Sequence, residues 1–231
     1  MRIHGLQKLT LLDYPEKMAC TVFTGGCNFR CPFCHNASLV THTEDAAVLS
    51  EEEVFTFLKK RAGLLEGVCI TGGEPLLNSD LEKFIRQIRE LGYAVKLDTN
   101  GSFPDRLTAL VSEGLVDYVA MDLKNSRESY ARTIGIPDYQ LAPVERSVAF
   151  LMEGHVPYEF RTTVVRELHR KEDFIRIGEW IQGASAYYLQ QFKDSGDLIQ
   201  EGLHAYDPKV LHQAADVVRA YVPSVEVRGI V

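Results

Sequence analysis

The sequence lacks any apolar run that could cross a membrane, and it lacks a secretory leader at its start. A membrane-spanning helix needs about 18 or more consecutive apolar residues, and no stretch approaches that length. Residues 1–5 (MRIHG) contain no apolar core of the kind that a secretion signal carries. These absences predict a protein that works in the cytoplasm without a membrane segment.

Basic residues are in deficit. The chain has 25 Lys and Arg against 32 Asp and Glu, which gives a formal net charge of −7. A protein whose main task is to bind nucleic acid needs clustered cations to neutralise phosphates, so the composition argues against a nucleic-acid partner. The net charge says little about small anionic ligands, because a few local cations can hold them.

Cysteine is scarce, and its placement argues against a disulfide framework. The five cysteines are an odd number, and three of them fall within eight residues. In a reducing compartment, such a group is more typical of a metal site than of disulfides. Cys20 and Cys69 lie inside predicted apolar strands, where we expect them to be small buried hydrophobic side chains.

Linkers and repeats are also missing. No Gly/Ser-rich or Pro-rich stretch, internal repeat or low-complexity segment divides the 231 residues. The hydrophobic fraction of 45% is ordinary for a globular protein and is enough to bury a full core. We therefore expect a single domain that spans residues 1–231.

Short apolar runs alternate with longer amphipathic ones along the chain. The short runs predict strands at residues 19–24, 67–71, 93–98, 116–122, 157–165 and 186–191. The amphipathic runs predict helices that begin at residue 50 and that span 80–91, 104–113, 143–153, 172–182 and 207–221. Six such alternations favour parallel strands joined by right-handed crossovers. The predicted fold class is α/β, a partial (β/α)6 barrel, with a short N-terminal segment and a last strand near 224–230 at its edges.

The chemical motifs all follow predicted strands. In α/β barrels, ligands bind at the carboxyl ends of the strands, where the connecting loops converge. The motifs at residues 27–34, 71–75, 96–101 and 121–124 fall at such ends. Two long loops, 35–49 and 125–142, are expected beside them.

The first motif is the loop that follows strand 19–24, with the spacing C-x3-C-x2-C at Cys27, Cys31 and Cys34. Three thiolates on a short loop can each bind one iron of a [4Fe–4S] cluster, which leaves the fourth iron open for chemistry. The alternative is a structural zinc site with His35 as a fourth ligand. Because His35 follows Cys34 directly, we expect it to pack beside the site instead of ligating. A third possibility, three unrelated core cysteines, fits this spacing poorly.

The cysteine loop resembles the signature of the radical S-adenosylmethionine (SAM) superfamily, and the later motifs agree in order. Residues 71–75 (TGGEP) are similar to the family's Gly-Gly-Glu motif, and residues 96–101 (KLDTNG), 121–124 (MDLK) and 160–165 (FRTTVV) end or form the next strands. Together they resemble the activases of glycyl radical enzymes, above all the anaerobic ribonucleoside-triphosphate reductase activating proteins. The resemblance runs from about residue 5 to 195. It implies a [4Fe–4S] cluster and SAM as cofactors.

The resemblance also implies roles for single residues. The backbone of Gly72 and Gly73 would lie close to the SAM amino group, and Glu74 would hold that ammonium or brace the turn. The ribose hydroxyls would be bound by Asp98 and Asn100.

Charged residues at the next strand ends complete this implied site. Lys124 would face the SAM carboxylate or ribose, and Asp122 would bind a monovalent cation. Arg161 is expected to point into the barrel, where a buried charge needs a partner. Taken one at a time, these motifs are also compatible with ordinary turns and exposed ion pairs.

One position departs from the pattern. In pyruvate formate-lyase activating enzyme the sixth strand ends with a histidine that touches the cofactor. Here the corresponding residues are Gln191 and Phe192, and either is expected to take over part of that contact. The departure argues against pyruvate formate-lyase as the partner.

The resemblance implies a reaction and its partners. An electron from flavodoxin or ferredoxin would reduce the cluster, SAM would be cleaved to a 5′-deoxyadenosyl radical, and that radical would take a hydrogen from a glycine Cα of the partner enzyme. Loops 35–49 and 125–142 would form the rim where this partner docks. Three alternatives remain at this stage: an activase of a different glycyl radical enzyme, a radical SAM enzyme for a small molecule, similar to carboxy-deazaguanine synthase, and a zinc-binding module without catalysis.

Overall fold

The computed structural model describes residues 1–41 and 48–230 of the chain. Within this part, eight strands form one sheet in sequential order. The strands are β1 (Ile3–Thr10), β2 (Ala19–Thr24), β3 (Gly67–Gly72), β4 (Ala94–Thr99), β5 (Tyr118–Asp122), β6 (Tyr158–Val164), β7 (Tyr187–Gln191) and β8 (Val225–Arg228).

Helices connect the strands. They are α1 (Ala37–Thr41), α2 (Glu51–Lys60), α3 (Leu81–Glu90), α4 (Pro104–Ser112), α5 (Tyr130–Thr133), α6 (Ala142–Met152), α7 (Lys171–Trp180) and α8 (Pro208–Val218), with a 3-10 turn at Pro75–Leu77. In the described residues, no helix has both the length and the apolar character that a membrane crossing requires.

The strand pairing confirms the predicted partial barrel. Strands β2 to β8 are parallel, and each pairs with the next strand along the chain. The N-terminal segment is strand β1, which pairs antiparallel with β2. Since β1 and β8 lie at the two ends of the strand order, the described sheet curls without closing.

Local sequence signals set the helix boundaries. The Ser50 hydroxyl accepts a hydrogen bond from the Glu53 backbone N–H, and the Glu53 carboxylate accepts one from the Ser50 backbone N–H, the capping box that the sequence predicts for α2. Gly92 follows α3 with a φ of +86°, a conformation that glycine adopts without the Cβ strain of other residues. The start of α2 and the end of α3 are therefore set by local sequence.

The sheet has an apolar outer face and a polar inner face. Val22, Ile70, Leu97 and Val119 are fully buried in the core cluster of apolar residues, as expected for strands covered by helices. On the opposite face the register aligns Cys69 with Lys96 and then Lys96 with Tyr118. Because side chains alternate along each strand, charged residues can line the barrel interior while the apolar ones pack outside.

Candidate functional site

The three cysteines of the C-x3-C-x2-C loop line one cavity of about 430 Å³ at the carboxyl ends of the strands. A volume of this order is typical of a site for a small organic ligand. Cys31 is buried, and Cys27 and Cys34 are partly buried. The Cys34 backbone N–H donates to the Cys31 carbonyl at 3.0 Å, which makes the second half of the loop a tight turn. Both cysteines of this turn line the cavity.

The glycine pair after β3 is required by close backbone packing. A Cβ on Gly72 would collide with Thr24 and a Cβ on Gly73 with Gly26, and Gly72 has a φ of +116°. The backbone N–H of Gly73 donates to the Thr24 carbonyl at 2.8 Å. The same two glycines line the cavity, so they join the turn to the cysteine loop and present backbone to any ligand.

Glu74 lies behind the cavity wall and is fully buried. Its carboxylate accepts hydrogen bonds from the Asn100 backbone N–H at 2.6 Å, the Thr99 hydroxyl at 2.8 Å and the Leu76 backbone N–H at 3.0 Å. Burial raises its pKa to about 7, although these hydrogen bonds act in the opposite direction. The geometry is that of a brace between the ends of β3 and β4.

A chain of alternating charges crosses the barrel interior. Arg161 donates from Nε to Asp122 at 3.0 Å and from Nη1 to Asp98 at 3.1 Å. Lys124 donates to the second oxygen of Asp122 at 2.9 Å, and Lys96 donates to the second oxygen of Asp98. Each carboxylate is thus held between two cations. The five groups carry three positive and two negative charges.

Charge pairing favours the ionised forms of Asp98, Asp122, Lys124 and Arg161. Burial alone would raise the pKa of Asp122, but Arg161 and Lys124 outweigh it and lower the pKa to about 2. The pKa of Asp98 is also lowered, because Arg161 and Lys96 together overcome burial. For Lys124 and Arg161, burial acts to lower the pKa, and the neighbouring carboxylates raise it instead. The cavity is therefore lined by fixed charges of both signs, which suits a zwitterionic ligand.

Asn100 links the end of β4 to the cysteine loop. Its amide nitrogen donates to the Asn28 side-chain oxygen at 3.0 Å and approaches the Cys27 sulfur at 3.8 Å. Its oxygen accepts from the Ser102 backbone N–H at 2.9 Å, an Asx turn. The asparagine is buried yet still lines the cavity.

The cysteine chemistry fits an iron–sulfur cluster. Burial raises the pKa of Cys27 to about 11 and that of Cys31 to about 12, so metal ions would be needed to hold these groups as thiolates. Three soft sulfur ligands that line one cavity are the donor set of a [4Fe–4S] cluster with one open iron. His35 lines the same cavity, and its ring is 5.6 Å from the ring of Phe192.

The structure gathers most of the predicted site residues in this cavity. They are Cys27, Cys31, Cys34, Gly72, Gly73, Asp98, Asn100, Asp122, Lys124 and Arg161. Glu74 lies behind the wall, as described above. Gln191 donates to the Tyr206 carbonyl at 3.0 Å, and the cavity is lined by its neighbour Gln190 instead.

The sequence did not predict a place in the site for three residues of the barrel interior. Asp13 lines the cavity and accepts a hydrogen bond from Thr21 at 2.6 Å, and it belongs to a loop with no periodic signal. Lys96 stands two residues before Asp98, so strand alternation could have placed both on one face. Cys69, expected to be a core hydrophobe, is buried with its sulfur 3.9 Å from the Lys96 ammonium and 3.8 Å from an Asp98 oxygen.

The predicted rim loops are partly structured. Residues 42–47 of loop 35–49 lie outside the described part of the chain, and α1 occupies residues just before them. Loop 125–142 contains α5, whose Tyr130 and Thr133 are buried. A third segment, after β7, also reaches the cysteine loop, because the Gln200 backbone N–H donates to the Pro32 carbonyl at 3.0 Å. The sequence prediction did not single out that segment.

The fold is a parallel α/β barrel, and its cavity combines three cysteines of one loop, a glycine turn and paired charges. Together these features define a class of cluster-dependent barrel enzymes. The family model described as Radical SAM superfamily matches residues 21–181. The chain therefore belongs to the radical SAM superfamily and is an enzyme of that kind. Members of this superfamily use a [4Fe–4S] cluster and SAM as cofactors.

Known proteins with similar sequences include activating enzymes. The chain is 29% identical over 234 residues, 99% of its length and 96% of the other, to MJ1227 of Methanocaldococcus jannaschii, which is named as a candidate glycyl-radical enzyme activating enzyme. It is 25% identical over 191 residues to the pyruvate formate-lyase-activating enzyme of Staphylococcus aureus, with 78% of this chain and 74% of the relative covered.

Solved structures share the fold. SuiB of Streptococcus suis bound to S-adenosylmethionine has a TM-score of 0.69 at 15% identity, with 88% of this chain covered. This chain matches only 48% of SuiB, about half of its length. A domain of a pyruvate-formate lyase-activating enzyme from Bacteroides vulgatus has a TM-score of 0.58 at 16% identity, with 71% of this chain and 99% of that domain covered. At these identities the likeness concerns the fold alone.

Proposed function

We propose that this chain, as a single domain of residues 1–231, activates a glycyl radical enzyme in the cytoplasm, and that its partner is an anaerobic (class III) ribonucleoside-triphosphate reductase. The observation that carries the proposal is that one cavity is lined by the three cysteines, by the glycine turn and by charged residues of both signs. Together with Lys96, four of these charged residues form the charge chain; they are Asp98, Asp122, Lys124 and Arg161. The full-length similarity to a protein named as a candidate activating enzyme supports the activase branch. The choice of partner rests on the motifs at the strand ends.

When bound, the cluster and SAM supply the one-electron cleavage that yields methionine and a 5′-deoxyadenosyl radical for hydrogen abstraction from a glycine Cα. Cys27, Cys31 and Cys34 would hold three irons. The carbonyls of Gly72 and Gly73 would accept from the SAM ammonium, with Glu74 fixing their turn from behind.

The charge chain would orient the remaining parts of SAM. Lys124 lines the cavity beside Asp122 and would face the SAM carboxylate. Asp98 and Asn100 would bind the ribose hydroxyls, and Arg161 would keep Asp98 in place through its 3.1 Å hydrogen bond. Asp122 would bind a monovalent cation, and Gln191 or its neighbour Gln190 would stand where related activases have a histidine.

The reaction needs no general acid or base, so the protein's task is to orient the reactants and exclude water. Phe29 and Phe33 line the cavity and are buried, which gives the cysteine loop an apolar side. A low-potential donor, flavodoxin or ferredoxin, would supply the electron.

An anaerobic radical assay tests this function. The cluster-loaded chain, SAM and a reductant are mixed with candidate glycyl radical enzymes, and electron paramagnetic resonance (EPR) records the product. We expect a glycyl radical on the ribonucleotide reductase, and none with a Cys31→Ala chain. SAM cleavage that yields no radical on any candidate, but is stimulated by a small-molecule substrate, would overturn the activase function in favour of the small-molecule alternative.

A further inference from the structure

The carboxyl end of α5 contacts the cysteine loop between its first two cysteines. The Arg30 backbone N–H donates to the Ile134 carbonyl at 2.9 Å. A Cβ on Gly135 would collide with the Arg30 carbonyl oxygen, so the two backbones touch with no room for a side chain. Arg30 lies between Cys27 and Cys31 in the sequence, so the contact holds the backbone that carries both cysteines.

The end of α5 is shaped to offer this contact. Gly135 has a φ of +69°, the Ile136 N–H donates to the Ala131 carbonyl at 3.2 Å, and the Gly135 N–H donates to the Arg132 carbonyl at 3.3 Å. This pattern is a Schellman motif, in which a left-handed glycine turns the chain out of a helix. The Ile134 carbonyl is left outside both of these bonds and is free to accept from Arg30.

Aromatic packing holds the cysteine loop from the side. The ring of Phe29 meets those of Tyr130 and Tyr139 edge to face, with centroids 6.5 Å and 5.2 Å apart. Phe29 is 2% exposed and lines the cavity, and its backbone N–H approaches the Cys27 sulfur at 3.3 Å. Edge-to-face pairs constrain ring position as well as burying area.

The segment that makes these contacts is itself fixed. The Asn125 amide donates to Thr133 at 2.8 Å and to the Leu168 carbonyl at 3.0 Å. The Ser126 and Ser129 hydroxyls both donate to Asp173, at 2.6 Å and 2.8 Å. These bonds connect the segment to the β6–α7 connection and to α7. A rigid support of this kind can hold a loop whose cysteines must bind irons.

We infer that residues 130–139 buttress the cysteine loop, and that Gly135 and Tyr139 are positioning residues for cluster retention. The inference rests on cluster ligation by Cys27, Cys31 and Cys34 in the proposed function, and it holds for any partner enzyme. It gives loop 125–142 a task inside the site in addition to the docking role that the sequence predicts.

A matched pair of glycine variants tests the buttress. Gly154 also ends a helix with a positive φ, +78°, but a Cβ there would meet nothing within 4 Å. Gly135→Ala and Gly154→Ala therefore share the cost of a left-handed alanine, and only Gly135→Ala disturbs the cysteine loop. After anaerobic reconstitution we expect iron to leave Gly135→Ala under a chelator on the order of tenfold faster than it leaves Gly154→Ala. We also expect an altered EPR spectrum of the reduced cluster in Gly135→Ala alone.

Tyr139→Leu provides a second test that does not involve backbone strain. Its ring is half-buried, so we expect the variant to fold and still to release iron faster than wild type. The inference would be overturned by two results together. Gly135→Ala would retain iron as well as Gly154→Ala and give the same EPR spectrum, and Tyr139→Leu would match wild type in both measurements. A wild-type chain that binds no four-iron cluster would instead overturn the proposed function, so the two failures are distinguishable.

Discussion

At the scale of single residues, the site depends on buried titratable side chains that keep hydrogen-bond partners. Lys96 is 1% exposed and Glu74 is 0% exposed, and neither belongs to the apolar core. A buried ion without partners is strongly destabilising, so each must keep its hydrogen bonds for the fold to persist. The stability of this protein should therefore respond sharply to changes at these two positions.

Replacement of Lys96 should expose this dependence. Lys96→Met leaves Asp98 with Arg161 as its only described cation, so we expect a loss of about 1–3 kcal/mol in the free energy of unfolding, measured in urea. In a double-mutant cycle with Asp98→Asn, the coupling energy should also be about 1–3 kcal/mol. The exposed Lys60→Met serves as control. Additive effects of the two interior substitutions would contradict the ion pair.

Glu74 should make stability depend on pH. Its pKa in the folded chain is about 7, above the 4.5 of an ordinary glutamic acid, so the folded state binds this proton more tightly. Stability from this group is fully present below about pH 4.5 and is lost as pH rises through about 7. The loss amounts to at most about 3 kcal/mol. Urea unfolding across this window should show the decline in wild type and a flatter profile in Glu74→Gln. The exposed Glu90→Gln serves as the control. An equal decline in wild type and Glu74→Gln would contradict the assignment of the pH dependence to Glu74.

At the scale of elements, the connections matter as much as the strands. The cysteine loop contacts the glycine turn after β3, the end of β4 and the end of α5, and each contact comes from a different crossover. Glu74 accepts hydrogen bonds from the end of β4, and its own backbone N–H donates to the Gly26 carbonyl at 2.8 Å. Chain segments that are far apart in sequence thus fix a loop of about ten residues, in keeping with binding loops that a rigid scaffold positions.

The support around α5 should be visible in hydrogen exchange. Because Asn125 joins Thr133 to the Leu168 carbonyl, we expect Asn125→Ala to speed amide exchange in residues 130–136 about tenfold or more. The measurement is exchange followed by mass spectrometry. Gln140→Ala, which removes one exposed hydrogen bond from the same loop, is the control. Unchanged protection of 130–136 in Asn125→Ala would show that the anchor lies elsewhere.

At the scale of the whole molecule, an open parallel barrel combines an apolar shell with a polar interior. The helices cover the outer face of the sheet, so the core can be continuous while Asp98, Asp122 and Arg161 face inward. The cysteine loop and the charge chain meet at the carboxyl edge of the sheet, the place where parallel barrels bind ligands. Cofactor binding should consequently stabilise the entire fold.

Thermal unfolding under anaerobic conditions should report this linkage. Ligands that bind only the folded state raise its stability by mass action, so cluster reconstitution should raise the Tm of wild type by roughly 5–10 °C. SAM should add a further increase. Cys31→Ala should show neither change, since it lacks one of the three thiolates. Equal Tm values for wild type before and after reconstitution would contradict cofactor binding at this cavity.

The sequence by itself determined the strand order and most of the cavity wall. Alternating patterns predicted the partial barrel, motifs at four strand ends predicted nine of the residues that line the cavity, and the motif within β6 predicted a tenth, Arg161. This succeeded because parallel strands bring their carboxyl ends to one edge whatever their separation along the chain. The motif identified Gly72 and Gly73 as site residues. Only the three-dimensional structure shows why both must be glycine, since their backbones lie against Thr24 and Gly26.

Only the tertiary structure decided the partners. It paired Arg161 with Asp98, placed Cys69 in the charged interior, turned Glu74 behind the wall and set Gly135 against Arg30. These contacts join residues from separate elements, with separations of up to about a hundred positions, and no local periodicity encodes them. Local patterns specify which face of an element is apolar, whereas the choice of partner across the barrel depends on register and on the exact fit of neighbouring backbones.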